Sequence, residues 1–145
     1  MRISIVDSHT EGEPTRVVLD GPDLGSESME QRVASLRGAH DSIRRGILLE
    51  PRGSEVQVAA FLGEPVHDGA DASVIFANNV GVLGMCVHGT IGVVRTLQHL
   101  GRVSHDSGTR IRLDTPVGRV AATIEADGGI SVENVPSRRT ARSVR

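Results

Sequence analysis

The chain has almost no aromatic side chains: it contains two phenylalanines and neither tryptophan nor tyrosine. Without aromatic platforms it cannot stack nucleic-acid bases as single-strand-binding proteins do. A net charge of −2 offers no basic field for a nucleic-acid backbone. The sequence therefore predicts no nucleic-acid partner, and a core built from valine, isoleucine, leucine and alanine.

Cysteine is just as scarce, with Cys86 alone among 145 residues. One cysteine excludes a disulfide within the chain, so we expect a reducing, cytoplasmic location. No apolar run reaches the roughly 18 residues of a membrane-spanning helix, and the first residues lack the apolar centre of a signal peptide. We therefore expect no membrane association, and the length suits one domain with one core.

Most of the chain is predicted to form short strands separated by turn residues. They alternate apolar and polar residues or are rich in branched side chains. The predicted strands span residues 1–6, 15–19, 47–50, 56–62, 73–77, 109–113, 119–125 and 130–135. Turn sequences join the last three strands, which predicts an antiparallel meander.

Two segments predict helices. Ser28 followed by Gln31 matches a capping box and opens a surface helix that ends near Gly38. A second helix is predicted over about 89–100, with Gly101 as its stop signal. Its apolar residues cover more than one face, so we expect it to be mostly buried. Antiparallel strands wrapped around this central buried helix give an α+β fold.

The segment 84–92, GMCVHGTIG, places the single cysteine where the second helix begins. There the thiol meets the positive end of the peptide dipoles and several unpaired N–H groups. Both favour the thiolate, so we expect the pKa of Cys86 to fall below the free-cysteine value of about 8.5. N–H groups that the sulfur does not use can hold a carboxylate. The segment thus predicts a proton-transferring base beside an anion site; the alternative is a small buried side chain without chemistry.

Several strings carry a family resemblance. They are residues 7–18 (DSHTEGEPTRVV), 21–25 (GPDLG), 50–54 (EPRGS), 78–81 (NNVG), the cysteine segment, 115–118 (TPVG) and 132–136 (VENVP). On these strings the sequence resembles the proline racemase family, and most closely its 4-hydroxyproline 2-epimerases. The resemblance implies two similar halves, as in a diaminopimelate-epimerase-like fold. Residues 1–145 correspond to the N-terminal half, and the C-terminal half is absent.

The same resemblance implies an activity. Family members need neither pyridoxal phosphate nor metal, so no cofactor is expected, and they invert the α-carbon of a free imino acid with two cysteines on opposite faces. Cys86 matches the first catalytic cysteine. The amides of Val87 and His88 match positions that hold the substrate carboxylate, and Gly89 adds to that anion site. Val87 stands where the family has glycine.

Two alternatives stay open, because the second cysteine position lies outside this chain. One is a 3-hydroxyproline dehydratase, whose relatives carry a different residue at that position. The other is an inactive half-molecule that binds an imino acid without converting it. A half-molecule exposes apolar surface, which predicts a homodimer or association with the missing half.

Other polar residues of the matched segments are interpreted as structural residues or as residues that line the pocket. His9 is interpreted as a strand-end histidine held by local hydrogen bonds. Asn78 and Asn79 are either turn formers or residues that line the pocket. Glu13 and Arg16 are candidates for a structural ion pair across the first turn.

A zinc site is not expected at the cysteine segment. The separation of Cys86 and His88 by one residue is not a spacing found in structural zinc sites.

Overall fold

The computed structural model describes residues 2–137, 139 and 141, which form one mixed sheet and three helices. The strands are β1 (Ser4–Thr10), β2 (Glu13–Asp20), β3 (Val58–Gly63), β4 (Ala72–Ala77), β5 (Val82–Leu83), β6 (Arg110–Thr115), β7 (Gly118–Ile124) and β8 (Ile130–Glu133). The helices are α1 (Met29–Arg37), α2 (Asp41–Leu48) and α3 (Val87–His99). The strand order is β1-β2-β3-β4-β6-β7-β8, and the short β5 pairs with β4.

Most neighbouring strands are antiparallel, but β2 with β3 and β4 with β6 run parallel. Helices α1 and α2 lie between the first pair, and α3 lies between the second pair. A crossover of this kind returns the chain in the same direction. The prediction of antiparallel strands is correct for the meander and wrong at these two junctions, because local patterns do not reveal pairing across a helix. The α+β class is confirmed.

The central strands β2, β3 and β4 are buried on both faces. Because side chains alternate along a strand, Val17 and Phe76 join a core with α3, while Val18 and Ile75 join a second core with α1 and α2. Strands buried on both faces are apolar almost throughout. The sheet thus separates α3 from the other two helices.

Helix α1 begins as predicted. The Ser28 hydroxyl accepts a hydrogen bond from the N–H of Gln31 at 3.2 Å, and the helix ends before Gly38. Met29 and Leu36 are buried against the sheet.

Helix α2 was missed by the sequence pattern, and the strand predicted over 47–50 is wrong. Ile47 and Leu48 form the last turn of this helix and are buried. Two local signals point away from a helix: Gly46 weakens its interior, and His40 at its start makes no side-chain cap. Packing of its apolar face on the sheet decides its structure.

Helix α3 starts two residues before the predicted position and ends at His99, two residues before Gly101, whose φ is +66°. Eight of its thirteen residues are buried. Gly92 lets it approach β2 closely, because a Cβ at this position would lie 2.8 Å from the Cβ of Thr15. The side chains of Val93, Val94 and Leu97 fill the core beneath the sheet.

The other predicted strands are present, with ends shifted by a few residues. Within the described part of the chain, no helix combines the length and apolar character needed to cross a membrane.

Candidate functional site

Cys86 is the residue immediately before the first turn of α3, with extended backbone angles (φ −146°, ψ 113°). Its carbonyl oxygen accepts hydrogen bonds from the N–H and the hydroxyl of Thr90, at 3.0 and 2.9 Å. Its side chain makes no capping hydrogen bond. The N–H groups of Val87 and His88 have no hydrogen-bond acceptor among the described residues, whereas the N–H of Gly89 lies close enough to the Cys86 sulfur to stabilise its thiolate. The start of α3 therefore presents free donors beside a thiol.

The Cys86 sulfur is half-buried and lies beside an imidazole ring. The Nδ1 and Nε2 atoms of His88 lie 3.5 and 3.8 Å from Sγ. A Cβ at Gly89 would lie 2.8 Å from the Phe76 ring and 3.2 Å from Sγ. The site is therefore packed around a glycine, and any side chain at residue 89 would displace the ring or the sulfur.

Val87 accommodates its position without backbone strain. It is the first residue of α3, and it is not among the described residues with positive φ. A β-branched residue fits a helical φ, so the backbone does not require glycine here. Its side chain is 44% exposed, beside the free N–H groups.

The tip of the β1–β2 hairpin lies against the start of α3. The Thr10 hydroxyl donates to the carbonyl oxygen of His88 at 3.1 Å. Within the hairpin, the N–H of Gly12 donates to Nδ1 of His9 at 3.3 Å, so the prediction of a locally bonded histidine is confirmed. No local sequence pattern indicates the Thr10 contact, because its acceptor is 78 residues away in the chain.

The expected ion pair between Glu13 and Arg16 does not form. Arg16 instead binds both carboxylate oxygens of Asp7, at 2.8 and 2.7 Å, across the β1–β2 ladder. Residues 7 and 16 are directly paired in this ladder, so their side chains share one face.

The loop 78–81 fixes the path of the chain that leads to β5 and Cys86. The Asn78 side chain accepts hydrogen bonds from the N–H groups of Val80 and Gly81, each at 3.0 Å, so Asn78 is a turn former. The buried Arg44 of α2 donates to the carbonyl oxygens of Asn78 and Asn79, at 2.8 and 3.0 Å. This anchor has no signature in the sequence.

The predicted lowering of the Cys86 pKa is wrong. Burial raises the pKa of the Cys86 thiol, because a thiolate loses hydration when it is covered. The N–H of Gly89 lowers it, and the negative charge of Glu13 raises it further. The helix start acts as expected on the sulfur, but burial outweighs it.

The described residues contain no group of three or more histidine, cysteine, aspartate or glutamate side chains arranged to hold a metal ion.

Comparison with known proteins gives a consistent family assignment. The family model described as proline racemase matches residues 5–145. A 4-hydroxyproline 2-epimerase from Pseudomonas fluorescens is 55% identical over 139 residues, which are 95% of this chain and 44% of that protein. One from Burkholderia thailandensis is 54% identical over 143 residues, covering 98% and 45%. The chain thus spans somewhat less than half the length of these curated relatives.

A solved structure supports the fold. The hydroxyproline epimerase from Agrobacterium vitis, crystallised with trans-4-hydroxy-L-proline, matches with a TM-score of 0.81 at 23% sequence identity. The match covers 90% of this chain and 40% of that protein. At this identity the likeness concerns the fold.

Proposed function

We propose a function from one premise: the chain belongs to the proline racemase family. The chain is the N-terminal half of an isomerase that inverts the α-carbon of 4-hydroxyproline. Support for this substrate comes from the curated relatives, which are 4-hydroxyproline 2-epimerases at 54–55% identity. Because the chain spans under half of their length, the second half of the site lies elsewhere.

The observation that carries this proposal is a thiol beside unpaired N–H groups at the start of α3. The N–H groups of Val87 and His88 bind the substrate carboxylate, and Gly89 adds to this anion site. Cys86 exchanges a proton with the α-carbon. When that proton leaves, negative charge moves onto the carboxylate, where preoriented donors stabilise it.

Inversion requires a second acid/base on the opposite face of the α-carbon. A cysteine from the C-terminal half takes this role, so that one thiolate removes the proton and the opposite thiol returns one. Burial keeps Cys86 protonated at neutral pH in this half. Its pKa must fall when substrate or the second half is present before it acts as the base.

The reaction in this form uses protein groups alone, so we propose that it needs neither pyridoxal phosphate nor a metal. The free thiol must stay reduced, which favours the cytoplasm.

A second candidate is a half-molecule that binds an imino acid, and the apolar surface near the site favours it. Val80, Val87 and Val117 are 83%, 44% and 50% exposed. Exposed apolar surface of this kind is normally covered by a partner, here the missing half or a second copy of the chain. Sedimentation velocity tests the homodimer, and a monomer at high concentration would exclude it.

Proton NMR of trans-4-hydroxy-L-proline in D₂O tests the proposed function. We expect the α-proton signal to disappear with the wild-type protein and to persist with Cys86→Ser. Appearance of the epimer shows that a second acid is present. Exchange without the epimer indicates a half-site, and a lack of exchange in the full-length protein would contradict the proposal. Dehydration of 3-hydroxyproline would identify the dehydratase instead.

A further inference from the structure

We propose that Glu13 binds the ammonium group of the substrate and thereby orients its α-carbon towards Cys86. This inference rests on the proposed function and adds a positioning residue to that site. It concerns amino and imino acids, whose nitrogen is protonated at neutral pH.

The register of the β1–β2 hairpin places Glu13 on the side that faces α3. Glu13 is the direct partner of Thr10 in this ladder, and cross-strand partners point to the same face of a sheet. The Thr10 hydroxyl bonds to the carbonyl oxygen of His88, so that face is turned towards the start of α3. The Glu13 carboxylate therefore lies at the same end of the helix as the thiol.

No cation among the described residues neutralises the charge of Glu13. Its side chain forms no ion pair with any of the described residues, and Arg16, the expected partner, is held by Asp7. Glu13 is also exposed. An exposed carboxylate without a cation is free to take one from a ligand.

The effect of Glu13 on the pKa of Cys86 supports this placement. The negative charge of Glu13 contributes to the raised pKa of Cys86, so the carboxylate acts on the sulfur. No other charged residue within the described ranges has this effect on Cys86, and the nearest titratable ring is His88, 3.5 Å from Sγ.

The chemistry of the substrate fits the two groups. An α-carbon at the Cys86 sulfur, with its carboxylate on the N–H groups of Val87 and His88, carries its nitrogen one bond away. A carboxylate on the neighbouring hairpin is placed to accept a charge-assisted hydrogen bond from that nitrogen. The bound ammonium also offsets the effect of the Glu13 charge on the sulfur.

The experiment compares two ligands and two matched glutamates in the full-length protein. The ligands are trans-4-hydroxy-L-proline and tetrahydrofuran-2-carboxylate, in which oxygen replaces the ring nitrogen. We expect Glu13→Gln to raise the KM for hydroxyproline about tenfold, the loss of one hydrogen bond to a charged group. Inhibition by tetrahydrofuran-2-carboxylate should be unchanged. Glu13→Asp should restore part of the lost affinity.

Glu11→Gln is the control, since it removes the same charge from the tip of the same hairpin. A second readout is the pH dependence of Cys86 alkylation, followed by mass spectrometry of its peptide. Its midpoint should move to lower pH in Glu13→Gln and stay in place in Glu11→Gln.

Equal weakening of both ligands by Glu13→Gln, or equal effects of the two glutamine variants, would overturn the inference and leave the proposed function intact. A wild-type protein that neither exchanges nor epimerises hydroxyproline contradicts the proposed function, and the inference then falls with it.

Discussion

Helices α1 and α3 begin in opposite ways. At α1, the hydroxyl of Ser28 accepts the N–H of Gln31 and closes the first turn. At α3, the equivalent position is Cys86, whose side chain makes no cap, and the next two N–H groups, of Val87 and His88, have no acceptor in the part of the chain that the structure describes. The two helices lie on opposite faces of one sheet.

The difference separates a structural helix start from one that is available for chemistry. A capped start satisfies its own donors and gains about 1 kcal/mol of stability. An uncapped start gives up that stability and keeps its donors for a ligand. Four predictions test this contrast.

The largest effect is expected for Gly89→Ala, which fills the packed space at the start of α3. The new methyl group would lie 2.8 Å from the Phe76 ring, and overpacking of this kind costs about 1–3 kcal/mol. Urea unfolding should show this cost as a lower free energy of unfolding for Gly89→Ala than for wild type.

Gly46→Ala in α2 is the matched control, because a Cβ there has nothing within 4 Å. We expect this variant to gain about 0.5–1 kcal/mol from helix propensity. Equal free-energy changes in the two variants would show that packing at residue 89 is not tight.

Ser28→Ala should cost about 1 kcal/mol, because it leaves the N–H of Gln31 without its acceptor. The rate of Cys86 alkylation should not change, since α1 lies on the other face of the sheet. A changed rate would mean that the two helix starts are coupled.

Cys86→Ser should have the reverse effect at α3 and stabilise the chain by about 0.5 kcal/mol, because serine is a favoured capping residue in extended geometry. Cys86→Ala removes the same thiol without offering a cap. If urea unfolding finds the two variants equally stable, the start of α3 does not accept a side-chain cap.

The smallest effect is on the titration of the thiol. Burial raises the pKa of folded Cys86, so its alkylation midpoint should lie above the value of about 8.5 for a free cysteine. The folded thiol binds its proton more tightly than the unfolded one. This contribution to stability is therefore present below the unfolded pKa and lost as the pH rises through the folded pKa. The test compares the free energy of unfolding in urea of wild type and Cys86→Ala at neutral and at alkaline pH. If the pKa of folded Cys86 were normal, both proteins would show the same pH dependence.

Features encoded over a few residues could be predicted from the sequence. The Ser28 cap, the Gly101 stop and the meander depend on neighbours in the chain, and all are present. Helix α2 was missed because Gly46 and the uncapped His40 conceal it.

Features of the site that depend on distant contacts could not be predicted. The pKa of Cys86 is set by burial, which requires the fold. The partner of Arg16 is Asp7 because the hairpin register places them side by side. The position of the thiol at the start of α3 was predictable, because it depends only on where the helix begins.

The anchor between Arg44 and loop 78–81 has a consequence for protein engineering. Arg44 holds the carbonyl oxygens of Asn78 and Asn79, so it constrains the path of the loop and not the side chain of residue 79. Residue 80 is 83% exposed, and its backbone N–H is held by the Asn78 side chain. A combinatorial library at residues 79 and 80, with Arg44 and Asn78 kept, would vary the surface of this loop while preserving the backbone that leads to β5.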